Sequence, residues 1–304
     1  MQIIVLGSAA GGGVPQWNCN GPVSRAARGR EPGLARTQAS IAVSSDGRSW
    51  AIVNASPDLR QQLLTNERFW PDSQRLRDSP IKAVLLTGGE VDNVAGLLSL
   101  RERQPFSLWG TEQVLANLDA NPIFEALERS IVERRPLALD RSVELMGPEG
   151  SLGLTAEAFS VPGKVPLYLE GRTADLAGTP EATIGLAISD RCARFHFIPG
   201  CAAMTPAIRQ RIEGSPLLFF DGTLWCDDEM IRAGLGSKTG QRMGHLSMSG
   251  PEGSIAALAG IPLGRRIFIH INNSNQALLP ASAERKALEG AGWEVAHDGM
   301  EIEL

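Results

Sequence analysis

The chain has 304 residues, with 29 Lys and Arg against 34 Asp and Glu, and a net charge of −5 at pH 7. A 43% hydrophobic and 21% charged composition belongs to a chain that buries a core, which excludes intrinsic disorder. The acidic balance argues against a nucleic-acid partner, because neutralising phosphates takes clustered Lys and Arg. No apolar run approaches the ~20 residues that cross a bilayer, so no membrane association is expected. The first residues lack the basic start, apolar stretch and cleavage site of a signal peptide. Cys19, Cys192, Cys201 and Cys226 are too few for a disulfide framework, and a reducing cytoplasm is the expected location.

Residues 2–6 form an apolar run closed by Gly7, which predicts a buried strand. Residues 40–44 and 49–53 flank Ser45-Asp-Gly-Arg48 and predict a hairpin. Pro57, with Ser56 as cap, opens a helix carrying Leu59, Leu63 and Leu64. A strand over 82–86 is broken by Gly88-Gly89, and Val94, Leu97, Leu98 and Leu100 begin a helix whose cap is Asp92 in the plainest reading. The Gly-rich stretches 147–153 and 171–180 read as surface loops. Further strands are predicted over 183–189, 194–198, 216–220 (running into Asp221) and 266–271 (carrying His270). Helices are predicted over 206–212 and over 283–289, the latter capped by Ser282 and stopped by Gly290, and a terminal strand pair follows. Strands alternating with helices imply an α/β layered fold, read as one domain over 1–304 in two similar halves.

Polar residues stand at four strand ends or nearby loops: Glu90, Asp92 and Asn93; Asp221; His245; and His270. In α/β folds these positions collect ligand-binding groups, and metal sites need several donors on rigid elements. Each also has a plainer reading. Asp221-Gly is an ordinary turn dipeptide, His270 among Phe268, Ile269 and Ile271 suits a core histidine, and His245 suits a loop. His196 and His297 read as structural.

Three segments in order alter that balance: Leu6-Gly-Ser-Ala-Ala-Gly-Gly-Gly-Val-Pro-Gln-Trp-Asn-Cys19, Val53-Asn-Ala-Ser-Pro-Asp-Leu-Arg60 and Val84-Leu-Leu-Thr-Gly-Gly-Glu-Val-Asp-Asn-Val-Ala-Gly-Leu97. Together they resemble the metallo-β-lactamase superfamily, in the branch of ribonuclease Z and the cyclic phosphodiesterases. Arg36-Thr-Gln38, Asp221-Gly-Thr-Leu-Trp225, Met243-Gly-His-Leu246, His270-Ile-Asn-Asn273 and the end Asp298-Gly-Met-Glu-Ile-Glu-Leu304 bring the resemblance closer to one family, coenzyme PQQ synthesis protein B. The resemblance implies an αββα sandwich with a metal site at one edge. A Rossmann reading is weaker, since residues 7–13 lack the G-x-G-x-x-G spacing and run into Pro15.

Hydrolytic relatives carry His-x-His-x-Asp-His, and the corresponding positions here are Gly88, Glu90, Asp92 and Asn93. A further histidine expected near Val161-Pro-Gly-Lys164 is missing, so the resemblance implies an empty first metal position. For the second position it implies Asp92, Asp221 and His270 as ligands, with Asn93 where the family has histidine. One imidazole, two carboxylates and an amide form a hard set. It suits a single divalent metal, Fe(II) foremost, then Mn(II) or Mg(II), over zinc. Of the family's Cys-x-Cys-x-x-Cys knuckle only Cys19 remains, and one thiolate cannot close a tetrahedral site, so no structural zinc is expected. Residues 21–33 are then expected to be mobile or held by other contacts. His245 matches a histidine that acts on substrate oxygen and is expected to move protons. Glu90, Lys238 and Arg242 are expected to face the substrate, a solvated loop being the alternative for the two basic residues.

The resemblance implies oxygen-using hydroxylation of the tyrosine-derived ring of a cross-linked Glu-Tyr precursor, in the making of pyrroloquinoline quinone (PQQ). The partner would be that small-molecule or short peptide-derived quinone precursor, and a homodimer is allowed. A non-catalytic carrier of the quinone or its precursor, serving its transport, is the alternative. A superfamily-type hydrolase is disfavoured by Gly88 and Glu90.

Overall fold

A computed structural model of the chain describes residues 1–29, 33–171 and 178–304. Its strands are β1 (Gln2–Gly7), β2 (Ser40–Ser44), β3 (Trp50–Val53), β4 (Ile81–Leu85), β5 (Phe106–Gly110), β6 (Val132–Pro136) and β7 (Ser142–Gly147). They continue with β8 (Gly150–Ser160), β9 (Ile184–Ser189), β10 (Arg194–Ile198), β11 (Leu217–Asp221), β12 (Arg265–Ile269), β13 (Glu294–Val295) and β14 (Glu301–Glu303). Two seven-stranded sheets result, ordered β14-β1-β2-β3-β4-β5-β6 and β13-β12-β11-β10-β9-β8-β7. Each sheet is antiparallel at one side and parallel at the other: β3 to β6 run parallel, as do β10 to β13.

Side-chain alternation explains the layers. In β1, Ile3 and Val5 enter the core between the sheets while Ile4 and Leu6 enter a separate cluster with Leu59, Leu97, Val114 and Leu118. In β11, Leu217 and Phe219 face the other sheet, and Leu218 and Phe220 face outward onto Ile208, Ile212, Leu258 and Leu288. Strands covered on both faces read as continuous apolar runs, and each sheet therefore needs a helical layer outside it. The result is the αββα metallo-β-lactamase sandwich. Among the described residues no helix is long and apolar enough to cross a membrane.

Several expectations need correction. The stretch 147–153 is a hairpin turn rather than a surface loop: Gly147 pairs with Gly150, and β8 then runs for 11 residues. The terminal strands do not pair with each other. β13 joins β12 and β14 joins β1, so the chain ends on the first sheet. The helix after β4 begins at Val91, with Glu90 rather than Asp92 at its cap, which leaves the Asp92 carboxylate free for other work. In Leu59–Leu64 it is Gln62, not Leu64, that is buried, and Gly290 lies inside Ala283–Gly290, with the turn made at Gly292. Residues 21–29 hold a short helix, Pro22–Arg28, whose Arg28 donates to the Cys19 and Gln16 carbonyls; Cys19 Sγ accepts from the Gly21 amide at 3.3 Å. The rest of the expected loops at 30–32 and 172–177 lies outside the described residues.

His196 on β10 is buried between sheet and helix, as read from the sequence. Ser215 Oγ donates to the Leu217 carbonyl, so it must accept the His196 Nδ1 proton at 2.8 Å. Nε2 is left without a partner. Burial, with Arg194 and Arg211 adding to it, pushes this imidazole down to about 4. The unfolded chain then binds a proton in a range where the folded chain does not, so stability falls as the pH drops through that window. Chemical denaturation of wild type and His196→Leu should show the wild type losing up to about 3 kcal/mol relative to the variant between about pH 7 and pH 4.

Candidate metal centre

The parallel strands β4, β11 and β12 end at one side of the sandwich, where α/β sheets place their ligand sites. Asp92 lies in the first turn after β4, Asp221 is the last residue of β11, and His270 is the first after β12. Leu217, Phe219 and Asp221 share a face by period two, which aims Asp221 between the sheets with no solvent exposure. His245 follows Gly244, the left-handed end (φ 92°) of the turn Gly240–Met243. Gly222 has no room for a side chain: an added Cβ would stand 2.9 Å from Phe268 Cβ, which accounts for the glycine after Asp221.

Asp221 Oδ2 accepts the Cys201 amide at 2.9 Å and lies 2.8 Å from His245 Nδ1. Its Oδ1 accepts the amide and hydroxyl of Thr223 at 3.0 and 2.7 Å. His270 Nε2 lies 2.9 Å from Asp92 Oδ2, and its Nδ1 lies 2.8 Å from Thr223 Oγ1. The rings of His245 and His270 stack with centroids 5.2 Å apart. Donor atoms of Asp221, His245 and His270 all fall within 4.8 Å of one another. His270 adopts a left-handed backbone (φ 59°), a strained state that needs fixing from outside. Ile271, the next residue, is stitched to Ser8 and Ala10 of the Gly-rich loop. That loop is held in turn by Gln38, which accepts from the Gly12 amide and donates to Asp58.

Burial works against charge on Asp92, Asp221 and His270, and pairing overrides it. It would raise Asp92, but the His270 hydrogen bond and the charges of His270 and His245 hold its carboxyl below the usual range. Burial would likewise raise Asp221, which His245, His270 and Thr223 hold down. It would lower His270, which Asp92, Asp221 and Glu90 hold up. Neither carboxylate forms an ion pair with Lys or Arg among the described residues; imidazoles alone face them. Two buried anions with only titratable partners fit a cation that displaces the imidazole protons. Burial pushes the nearby Cys201 thiol up to about 12, so it stays protonated.

The cluster forms one wall of a cavity of about 560 Å³. Asn93 lines this cavity, its amide nitrogen turned toward Gly88. Glu90 and Lys238 line it too, but each is engaged: Glu90 Oε1 with Lys164 Nζ at 2.6 Å, and Lys238 Nζ with Glu170 Oε2 at 2.8 Å. Arg242 reaches the same Glu170 oxygen at 3.6 Å. The structure thus brings Asp92, Asp221 and His270 together, and adds His245, which the sequence reading set apart as a proton carrier. Thr223, Lys164 and Glu170 went unread. Thr223 sits inside Asp221-Gly-Thr and Lys164 inside the segment noted for its missing histidine, while Glu170 carries no sequence signal.

A family model described as a beta-lactamase superfamily domain matches residues 49–271. A coenzyme PQQ synthesis protein B from Xanthomonas oryzae is 56% identical, covering 100% of both chains. Another from Gluconacetobacter diazotrophicus is 58% identical over 99% of both. The chain belongs to the coenzyme PQQ synthesis protein B family. A solved structure, Zn(2+)-bound PqqB from Methylobacterium extorquens, aligns with a TM-score of 0.94 at 50% identity over the whole of both chains. In Arg36-Thr-Gln38 and Asn54-Ala-Ser-Pro-Asp58, Gln38 and Asp58 support the Gly-rich loop, Gln38 also lines the cavity, and Asn54 holds the cavity-lining Thr87.

Two outcomes are expected. Titration with Fe(II) or Zn(II) should tighten as the pH rises from about 6 to 8, with protons released on binding, since His270 must lose its proton to ligate. Thr223→Val removes the hydroxyl that orients both rings; metal affinity by chelator competition should fall about 10- to 100-fold, and the metal-free Tm should fall as well, because buried Asp221 loses a hydrogen bond.

Proposed function

We propose that this chain serves PQQ biosynthesis as a metal-dependent oxygenase that hydroxylates the tyrosine-derived ring of a Glu-Tyr precursor. The observation that carries the reading is the convergence of two carboxylates and two imidazoles at one wall of an open cavity. The curated relatives of the same length bear the name coenzyme PQQ synthesis protein B, which supplies the pathway. Asp92, Asp221, His270 and His245 would hold one divalent ion, and Fe(II) there would supply the activation of dioxygen.

The remaining work falls to the chain. Thr223 fixes the ring nitrogens of His245 and His270. Met230, Met243, Leu167 and Pro199 give the cavity apolar walls against which an aromatic ring packs and from which water is expelled. In the ion-free site His245 holds a proton at Nδ1 against Asp221. Inserting one oxygen atom of dioxygen into a ring C–H bond and reducing the other to water takes two electrons and two protons, which a co-reductant outside the chain must provide. Hydrolysis through a pair of ions is disfavoured because Gly88 offers no donor and Glu90 is already paired with Lys164.

Protein loaded anaerobically with Fe(II), then given the Glu-Tyr-derived precursor, a reductant and dioxygen, should take up oxygen in proportion to substrate and yield a product one oxygen atom heavier. Asp221→Asn should cut that rate at least about 100-fold. Asn93→His should raise metal occupancy by adding an imidazole to the cavity wall. Failure of wild type and Asn93→His alike to take up Fe, Mn or Zn overturns the oxygenase reading and leaves the carrier.

A further inference from the structure

Besides the donor cluster the cavity carries a second group of charges. Lys164, partly buried, extends Nζ between Glu90 Oε1 at 2.6 Å and Glu170 Oε1 at 3.2 Å. Glu170 is also reached by Lys238 at 2.8 Å and Arg242 at 3.6 Å. One carboxylate thus has three cations around it, drawn from two separate segments of the chain. Such a convergence exceeds what holding one surface glutamate requires, because exposed pairs contribute little. The side chain is nonetheless almost enclosed, 13% exposed. The three cations outnumber the two acids, so the group retains a net positive charge once Glu170 and Glu90 are counted.

We propose that Lys164, Lys238 and Arg242 form a carboxylate-binding subsite of this cavity, and that Glu170 occupies it as a built-in stand-in for a carboxylate of the ligand. The proposal rests on the preceding reading for the cavity being the substrate site. Glu170 follows the short turn Leu167–Leu169, which is tied down independently: the Leu167 amide donates to Glu90 Oε2 at 3.2 Å, and the Tyr168 hydroxyl donates to the Gly89 carbonyl at 2.9 Å. Glu170 can therefore swing out while the turn stays on the segment that bears Asp92. Glu90 keeps hold of Lys164 when it does, so the ammonium remains aimed. The stem of Lys164 packs against Gly244, where an added Cβ would stand 3.2 Å from its Cγ, one residue before His245. A ligand carboxylate bound here thus sits at a fixed offset from the donor cluster. An acidic ligand is held at one end, and its reacting ring is presented at the other. Occupation by Glu170 also offsets part of the charge of the three cations, which disfavours capture of small inorganic anions.

Calorimetric titration with trimesate (benzene-1,3,5-tricarboxylate) at low ionic strength tests this on the whole protein, both metal-loaded and chelator-treated. Glu170→Gln removes the competitor and should tighten trimesate binding about tenfold, in both forms. Lys238→Gln and Arg242→Gln should each weaken it about tenfold in the Glu170→Gln background. Unchanged or weaker binding by a folded Glu170→Gln, or binding that ignores Lys238 and Arg242, overturns the proposal, as does binding that vanishes when the metal is stripped. If Glu170→Gln does not fold, Lys238→Gln alone decides, since it must weaken binding to a protein of unaltered Tm. Trimesate binding that follows these rules in a protein without oxygen uptake would sink the oxygenase reading and leave the subsite standing.

Discussion

Two carboxylates at the carboxyl ends of parallel strands face imidazoles and no fixed cation, and much of the surrounding structure follows from that pairing. Burying a carboxylate costs several kcal/mol unless charge and hydrogen bonds compensate. Asp221 has both oxygens satisfied, by the Cys201 amide, the Thr223 amide and hydroxyl, and His245. The strained backbone of His270, the close-packed Gly222 and the left-handed Gly244 exist to bring those partners within reach. Each is tolerable only because the sheets behind it are rigid, with Phe219, Phe220, Ile267 and Phe268 fully buried.

Most of the fold was legible because its strands are either doubly covered or closed by unmistakable turns. Ile-Ile-Val-Leu in β1 and Leu-Leu-Phe-Phe in β11 cannot be surface elements, and Asp46 with Gly47 makes the turn that joins β2 to β3, Asp46 Oδ1 accepting the Arg48 and Ser49 amides at 2.8 Å. What was missed is instructive. In β8, Leu152, Leu154, Ala156 and Ala158 alternate with exposed or half-exposed residues, a clear period of two. The glycines at 147, 150 and 153 masked it, because glycine content was read as loop when two of those glycines simply form a tight hairpin. The terminal strands misled for a different reason. Proximity in sequence suggested pairing, yet the Gly299 amide bonds to Val5 and Met1 bonds to Leu304, contacts between chain ends that no local pattern encodes.

The site was legible only in part, and the dividing line is chemical type. Asp, His and Asn at strand ends announce themselves through the ligand atoms they carry. Thr223 does not, since a hydroxyl is ordinary in a turn, and only the folded chain shows it touching Asp221, His245 and His270 at once. Lys164 does not either, since a lysine in Val161-Pro-Gly-Lys164 is ordinary in a solvated loop. His245 was assigned a separate role since sequence gives no distance between it and Asp221, which the turn at Gly244 reduces to 2.8 Å.

Lys164 also accounts for the charge at the position beside the ion proposed above. The resemblance places Gly88 and Glu90 at the first metal position, where Gly88 contributes nothing and Glu90 contributes a negative charge. An acid left there alone would attract a cation from solution. Lys164, from the segment that should carry the missing histidine, puts its ammonium 2.6 Å from that acid. A tethered ammonium offsets the charge of Glu90, whereas a metal ion there would also lower the pKa of a bound water molecule. The same substitution leaves space beside the remaining donors, because an ammonium on a flexible stem demands no coordination sphere of its own. On the reading proposed above, the cavity is thereby left for a ligand that approaches one ion and is held by its own charge at Lys164 and Lys238.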